Sequence, residues 1–242
     1  RRETLGIRFQ LEMLKPDLAQ SAQGIENTVV VYGSARFVAH EEATRQLAEA
    51  EASGDAQRCA LARRALRNAA YYEQARQFAR LVAEHSQRQP PEDRIYVCTG
   101  GGPGIMEAAN RGAHDAGQPT IGLNIVLPHE QHSNPYVTSS LSFKFHYFAL
   151  RKMHFMLRAK ALVAFPGGFG TLDELFEVLT LVQTRKAKPV PIVLFGTAFW
   201  GRLLDFDMLV EEGTIAPEDL GLFHITDDPQ QAWATIQQFY QL

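Results

Sequence analysis

Residues 164–182 read AFPGGFGTLDELFEVLTLV, and this stretch decides the fold. Its apolar beginning is typical of a buried strand that ends at Pro166, and its continuation predicts a helix that begins near Thr171. The three glycines between them let the backbone approach a ligand closely. A strand, a glycine-rich loop and a helix in this succession indicate an α/β protein.

Other short apolar runs along the chain have the same strand-like character. They lie at residues 28–33, 94–99, 120–126, 161–165 and 190–195. Helical patterns separate most of them, which predicts a Rossmann-like α/β fold, a parallel sheet with helices on both faces. Ligands bind beyond the carboxyl ends of such strands. The glycine loops at residues 33–36, 100–104 and 166–171 are therefore expected to meet in one cleft.

A long helical segment is inserted into this pattern at about residues 41–90. It contains thirteen alanines with Arg and Glu interleaved, and predicts one or two long helices. Its predicted buried face comprises Leu61, Ala65, Ala69, Tyr72, Ala79 and Val82. Seven acids accompany the arginines without an aromatic ladder, which favours a solvated helix face over nucleic-acid contact.

Nothing in the sequence supports a second domain. There is no internal repeat and no low-complexity linker, so residues 1–242 are expected to form a single nucleotide-binding domain. The insertion at about 41–90 and an N-terminal extension at about 1–27 belong to it. The extension shows no strong periodicity, and we expect it to pack across the body or against a partner subunit.

Bulk composition argues against several classes of protein. The net charge is −3 and 45% of the residues are hydrophobic, so the totals indicate no long-range attraction to nucleic acid or to membranes. No window is apolar and long enough to span a bilayer, and no secretory signal is evident. Cys59 and Cys98 show neither pair nor metal spacing. The sequence therefore predicts a cytoplasmic protein that binds any phosphate locally.

The loop at residues 166–171 has the features of a phosphate site. Free N–H groups and the positive end of the following helix suit an anion, and Thr171 adds a hydroxyl. The loop lacks the lysine of a P-loop, so a monophosphate fits better than a triphosphate with magnesium. Glu174 is expected in the first helical turn, facing the same cleft. From this stretch alone, catalysis and simple complementation of the helix dipole are equally good interpretations of Glu174.

Two further segments carry candidate groups. The glycines of residues 99–107 lack the spacing of a dinucleotide fingerprint, so they predict either a helix N-terminus at Pro103 that binds a sugar or base, or only a tight turn. Residues 145–156 (FHYFALRKMHFM) predict a helix whose cations, Arg151 and Lys152, need acidic, phosphate or solvent partners. His146 and His154 have no third ligand, so no metal site is predicted.

Taken in chain order, four motifs resemble those of the LOG (Lonely Guy) phosphoribohydrolases, a family long labelled as lysine decarboxylases. They are Gly33-Ser34, the GGPGIME of residues 101–107, Arg151-Lys152 and the PGGxGTxxE of residues 166–174. The resemblance covers about residues 28–240. It implies hydrolysis of the N-glycosidic bond of a nucleoside 5′-monophosphate, AMP or a cytokinin riboside 5′-monophosphate, without a cofactor, and hence cytokinin biosynthesis in some members.

The resemblance also implies roles for individual residues. Arg151 and Glu174 become the catalytic pair, in which the carboxylate stabilises oxocarbenium-like charge on the ribose and orients water. The implied substrate contacts are Gly33, Ser34, Gly101, Gly102, Gly104, Glu107, Glu130, Lys152, Gly167, Gly168, Phe169, Gly170, Thr171 and Thr180. Sites in this family are completed at dimer interfaces, which implies a homo-oligomer, at least a dimer.

Two rival functions remain to be compared with hydrolysis. A protein that binds or senses a nucleotide without cleaving it could use the same loops, but it has no need of a carboxylate beside a phosphate. Glu174 therefore favours the enzyme. A lysine decarboxylase that uses pyridoxal phosphate needs a Schiff-base lysine, and no recognisable cofactor motif places Lys144, Lys152 or Lys160 in that role.

Overall fold

The strands of the described chain form one parallel sheet. The computed structural model describes residues 2–126 and 133–242. Its strands are β1 (Asn27–Tyr32), β2 (Ile95–Thr99), β3 (Ile121–Ile125), β4 (Ser142–Phe145), β5 (Ala159–Ala164), β6 (Ile192–Phe195) and β7 (His224–Thr226). They pair in the order β4-β3-β2-β1-β5-β6-β7, and every pairing is parallel. The predicted Rossmann-like α/β fold is confirmed.

Helices connect most of these strands. They are α1 (Leu5–Ser21), α2 (His40–Ser53), α3 (Ala56–Ser86), α4 (Ile105–Asp115), α5 (Phe148–Leu157), α6 (Phe169–Gln183), α7 (Thr197–Leu203), α8 (Phe206–Glu211) and α9 (Pro229–Tyr240). Short 3₁₀ helices occupy Arg2–Thr4, Pro91–Asp93, Ser139–Leu141 and Pro217–Leu222. Across the part of the chain that the structure describes, none of the helices could cross a membrane.

Helices cover both faces of the sheet, and the sequence of β1 shows why both faces must be covered. Val29 and Val31 pack into a core cluster with α3, α4 and α9, whereas Val30 and Tyr32 belong to a second cluster with α5, α6 and α7. Side chains that point in either direction are buried, so the strand carries no alternation of polar and apolar residues. This is the expected pattern of a parallel strand covered on both faces.

The direction of strand addition reverses beside β1. The chain proceeds from β1 through β2 and β3 to β4 at one edge, then places β5 on the other side of β1 and continues to β7. Ligands bind at such a topological switch point, outside the carboxyl ends of the strands. Gly33 directly follows β1, and Pro166 lies two residues after β5. Two of the predicted glycine loops therefore begin at the switch point.

The insertion consists of α2 and α3, in agreement with the prediction of one or two long helices. The chain turns between them at Gly54, whose φ is +67°, and the Asp55 carboxylate caps α3 by accepting from two backbone N–H groups. Leu61 is 48% exposed, so its predicted burial is wrong: the buried face passes through Ala62 and Ala69 instead. The arginines predicted to be solvated are exposed, apart from the half-buried Arg76: Arg58, Arg63, Arg64, Arg67, Arg80 and Arg88.

The N-terminal extension contains α1, a helix that the weak periodicity of residues 1–27 does not predict. Pro16 inside it has no N–H, so the carbonyl of Glu12 has no donor four residues later. Nε2 of His154 on α5 donates to that carbonyl across 3.0 Å. Nδ1 of His146 lies 2.7 Å from the Glu12 carboxylate. The two histidines considered as metal ligands thus anchor α1 to the body.

The segment before α5 differs from its prediction. Residues 145–156 were expected to form one helix, but Phe145 ends β4 and α5 begins at Phe148. Neither β4 nor β7 is predicted from the sequence, and these are the two edge strands, four and three residues long. Strands this short give little periodicity to recognise.

Candidate active site

A cavity of about 1080 Å³ opens at the switch point. All three glycine loops line it, as the sequence predicts: Gly33 and Ser34 after β1, Gly100 and Gly102 after β2, and residues 166–171 after β5. The volume lies at the upper end of the range of about 300–1000 Å³ that is usual for small-molecule sites.

Ser34 joins the three loops through its backbone. Its N–H donates to the carbonyl of Pro166 across 2.9 Å, and its carbonyl accepts from the N–H of Ile105 across 3.0 Å. The second bond brings Ser34 against Gly104, which has a φ of +74° and where a Cβ would collide with the Ser34 carbonyl oxygen. The N-terminus of α4 begins at Ile105 rather than Pro103. Its first N–H serves Ser34, so this group is not available to a sugar or base.

The N-terminus of α6 borders the cavity. The helix begins at Phe169 rather than near Thr171, so Glu174 lies in its second turn and not in the first. N–H groups of a first turn have no helical partner and favour an anion. A Cβ on Gly168 or Gly170 would meet nothing within 4 Å, and neither residue has a positive φ. Folding therefore does not require glycine at these positions, and the two leave space for a ligand.

Arg151 of α5 and Glu174 of α6 form a buried ion pair in the cavity. Nη2 of Arg151 lies 3.0 Å from Oε1 of Glu174, and the side chains are 13% and 6% exposed. The guanidinium also lies 5.1 Å from the ring centroid of Phe148 and 5.5 Å from that of Phe155. Its Nε is buried without a hydrogen-bond partner among the described residues. The structure brings the predicted catalytic pair together, while its catalytic role stays a prediction.

Burial raises the pKa of Glu174 to about 7. Loss of solvent disfavours the charged carboxylate, and the positive charges of Arg151 and Lys152 only partly oppose this effect. The negative charges of Asp173 and Glu177 raise the pKa further. A carboxyl group with a pKa near neutrality can accept or release a proton during a reaction, and such groups in clefts are typical of functional sites.

Lys152 points away from the cavity. Its Nζ contacts Asp173 Oδ1 at 2.8 Å and Glu177 Oε2 at 2.9 Å. Burial acts to lower the pKa of Lys152, but the bonds to these two carboxylates raise it overall. Lys152 therefore links α5 to α6 behind the Arg151–Glu174 pair. The position of the Lys152 ammonium group does not support the predicted direct contact between Lys152 and substrate.

Other implied substrate contacts also lie outside the cavity lining. These are Gly101, Gly104, Glu107 and Thr180. Glu107 accepts a 2.9 Å hydrogen bond from the Tyr72 hydroxyl, which joins α4 to α3, and Thr180 is exposed and donates to the carbonyl of Phe176. Glu130 lies outside the described residues, so its contact with substrate remains a prediction.

The cavity includes residues that sequence reasoning did not select. Asn68 and Tyr71 come from α3 and Arg202 from α7, and the Tyr71 ring stacks on Phe37 with centroids 6.0 Å apart. Tertiary packing brings these residues in, and no local motif marks them. Tyr32 also lines the cavity, and a signal for it exists: it lies in the predicted strand at residues 28–33, directly before Gly33-Ser34.

Comparisons with known proteins show the family to which the chain belongs. A family model described as "possible lysine decarboxylase" matches residues 106–236, more than half of the chain. The cytokinin riboside 5′-monophosphate phosphoribohydrolase LOG of Oryza sativa subsp. japonica is 34% identical over 129 residues, which are 52% of this chain and 51% of the relative. LOG3 of Arabidopsis thaliana is 34% identical over 129 residues, with 52% and 57% coverage. The chain spans about half the length of these curated relatives.

Solved structures share the fold over a greater length. The molybdenum cofactor binding protein from Rippkaea orientalis superposes with a TM-score of 0.53 at 18% identity, over 89% of this chain and 98% of that one. The Moco carrier protein from Chlamydomonas reinhardtii gives 0.52 at 22% identity, over 90% and 99%. The family model alone spans more than half of the chain and leads to one conclusion: the chain belongs to the family of possible lysine decarboxylases, which includes the LOG phosphoribohydrolases.

Proposed function

We propose that this protein hydrolyses the N-glycosidic bond of a nucleoside 5′-monophosphate, releasing the free base and ribose 5-phosphate. The observation that carries the proposal is the Arg151–Glu174 pair, buried in one cavity with a glycine loop at a helix N-terminus. The curated relatives are named as phosphoribohydrolases, which supports the same reaction. Because the matching segment is only about half of each chain, the relatives' activity is assigned to this protein as a proposal.

In the proposed mechanism, the 5′-phosphate binds at residues 167–171, where the first turn of α6 supplies backbone donors. The C1′–N bond breaks, and the base departs with the bonding electron pair and takes up a proton from solvent. Glu174 stabilises the positive charge that develops on the ribose. A water molecule then adds to C1′ and passes its proton to the Glu174 carboxylate. Arg151, released from Glu174, holds the substrate.

The charge balance of the cavity supports an anionic substrate. Its described lining contains the cations Arg36, Lys144, Arg151 and Arg202, against one acid, Glu174. The aromatic side chains of Phe37, Tyr71 and Phe199 provide apolar surface for a base. We propose AMP or a cytokinin riboside 5′-monophosphate as substrate, because the relatives are named for the latter. A role in cytokinin biosynthesis follows in the second case.

Decarboxylation through pyridoxal phosphate does not fit the residues present. A Schiff base requires an amine that loses its proton and reaches the cofactor. The ammonium group of Lys152 is held by Asp173 and Glu177, which raise its pKa, and it lies outside the cavity. Lys144 lines the cavity but is exposed at the edge strand β4. We therefore propose no cofactor.

We also propose a cytoplasmic homo-oligomer, at least a dimer, in which the 242 residues form one domain. Both core clusters share a single sheet, which supports the domain assignment. Four aliphatic residues on α1, spaced at intervals of four, three and four, support self-association: Ile7, Leu11, Leu14 and Leu18 are 53–59% exposed. A Leu11→Glu variant should lower the mass measured by light scattering, whereas an unchanged mass would exclude this helix as an interface.

The decisive experiment incubates the pure protein with AMP and with isoprenylated AMP, and measures free base and ribose 5-phosphate. The wild type should release both products in equal amounts, and Glu174→Gln should not. Glu212→Gln is the matched control, since Glu212 is exposed and does not line the cavity. Tight binding without base release would indicate the non-catalytic nucleotide-binding alternative. Equal rates for wild type and Glu174→Gln would remove Glu174 from the mechanism.

A further inference from the structure

Tyr32 has a buried hydroxyl group that the fold leaves without a partner. The side chain is 6% exposed, its Oη is shielded from solvent, and no hydrogen-bond partner for it exists among the described residues. A buried hydroxyl without a partner destabilises a protein, and phenylalanine would fill the same space without that penalty. Because Tyr32 also lines the cavity, its hydroxyl is best explained by a partner acquired in the working site.

The groups around Tyr32 belong to the site. Its ring packs edge-on against Phe155, with centroids 5.1 Å apart, and Phe155 in turn lies 5.5 Å from the Arg151 guanidinium. The buried Nε of Arg151 is a second polar atom without a partner among the described residues. Two residues of the cavity lining therefore each carry a buried polar atom that lacks such a partner.

Tyr32 can act only as a hydrogen-bond donor or acceptor, because its phenol does not ionise near neutral pH. Burial raises the pKa of Tyr32 well above its ordinary value, and the Glu174 carboxylate raises it further. The other charged or titratable groups that act on the phenol are Cys98, Arg151 and Glu177. The hydroxyl thus keeps its proton, and Glu174, the acid whose charge acts on it most, lines the same cavity.

We propose that Tyr32 is a positioning residue for Glu174, whose carboxylate takes the Tyr32 hydrogen bond when an anionic nucleotide draws Arg151 away. This inference rests on the proposed function. In the structure Arg151 pairs with Glu174, and the phenol has no partner among the described residues. An anionic substrate competes with Glu174 for the guanidinium. The Tyr32 hydroxyl would then replace Arg151 as the donor that orients Glu174 toward the ribose.

If the Tyr32 hydroxyl replaces Arg151 as the donor to Glu174, the pH dependence of the activity should change. A hydrogen bond donated to a carboxylate stabilises its charged form and lowers its pKa. Tyr32 would therefore keep Glu174 ionised after Arg151 has left it. The groups that face Glu174 from the surrounding elements are Tyr32 on β1, Arg151 and Lys152 on α5, and Asp173 and Glu177 on α6. Removal of the phenol oxygen alone should shift the titration of Glu174 in the complex to higher pH.

The test compares Tyr32→Phe with Tyr96→Phe. Tyr96 is buried in the same core cluster, but it pairs with Thr28 at the opposite end of the strands, so its hydroxyl should not affect the site. For AMP hydrolysis we expect Tyr32→Phe to lower kcat by about tenfold with KM within about twofold, and to move the acidic limb of the pH profile upward. Its Tm should equal or exceed that of the wild type. Tyr96→Phe should change neither kcat nor the pH profile.

A spectroscopic measurement separates this inference from the proposed function. The pKa of Glu174 can be followed by carbon NMR of labelled glutamate with saturating AMP or ribose 5-phosphate, with Glu174→Gln identifying the signal. Tyr32→Phe should raise this pKa whether or not the base is released. An unchanged pKa, or wild-type kcat and pH profile in Tyr32→Phe, overturns the positioning role. Base release absent from wild type together with a raised pKa in Tyr32→Phe would reject hydrolysis but retain the contact.

Discussion

The guanidinium of Arg151 donates to the carboxylate of Glu174 across 3.0 Å, so the cavity holds its principal cation and its principal acid in mutual contact. Both side chains are largely buried, and removing either one would leave the other charge without its partner. The pair arises because α5 and α6 pack against the same face of the sheet. In the proposed mechanism an anionic substrate competes with Glu174 for Arg151, so the first predictions concern the ionisation of Glu174.

The activity should depend on pH through Glu174. The pKa of this carboxyl is raised to about 7 by burial, and the proposed mechanism uses the charged form. Because kcat/KM reports ionisations of the free enzyme, we expect it to rise with pH through about 7 and to fall about tenfold per pH unit well below that value. Initial rates of base release from AMP between pH 5 and 9 measure this. A profile that stays flat from pH 5 to 7 would contradict the assignment.

Glu174 should also make folding stability depend on pH. Its folded pKa of about 7 exceeds the ordinary value of 4.5, so the folded state binds the proton more tightly. The stabilisation is complete below about pH 4.5 and is lost as the pH rises to about 7, a change of about 3 kcal/mol for such a shift. Glu174→Gln should therefore gain stability relative to wild type between pH 5 and pH 8. Urea unfolding at both pH values measures the difference, and a constant difference would exclude a raised pKa.

Much of this site can be predicted from the sequence. The reason is physical, and the same reason explains which parts of the site cannot be predicted. The strand before Gly33 and the helix after Gly168 have local patterns, and a parallel sheet places the carboxyl ends of its strands at one edge. Contacts between residues that are far apart in the sequence leave no comparable local pattern. The position of Tyr71 against Phe37 depends on how α3 crosses the sheet. Likewise α1 is not predicted, because Pro16 inside it argues against a helix and because polar contacts, rather than a buried apolar face, dock it to α5.

Lys152 should support the site electrostatically, from outside the cavity. Its bonds to Asp173 and Glu177 join α5 to α6, and its charge lowers the pKa of Glu174. Because both acids are partly exposed, Lys152→Met should reduce the unfolding free energy by only about 1 kcal/mol. The acidic limb of the kcat/KM profile should also move to higher pH. The exposed Lys188→Met serves as the control, and an unmoved limb in Lys152→Met would show that Lys152 acts only on stability.

The Gly170→Ala variant should increase folding stability and weaken substrate binding. Gly170 is the second residue of α6, and a Cβ there meets no atom within 4 Å, so alanine should raise the unfolding free energy by up to about 1 kcal/mol through its higher helix propensity. The same methyl group would enter the cavity beside the N–H groups proposed to bind phosphate. We therefore expect KM for AMP to rise by about tenfold or more, equivalent to at least about 1.4 kcal/mol of binding.

Gly6→Ala is the matched control for this variant. Gly6 is the second residue of α1 and likewise has open space around a Cβ, but it lies far along the chain from the cavity loops and does not line the cavity. It should gain similar stability and keep the wild-type KM. Thermal unfolding and steady-state kinetics on the two variants complete the comparison. If Gly170→Ala bound AMP as well as Gly6→Ala does, the phosphate could not lie at the N-terminus of α6.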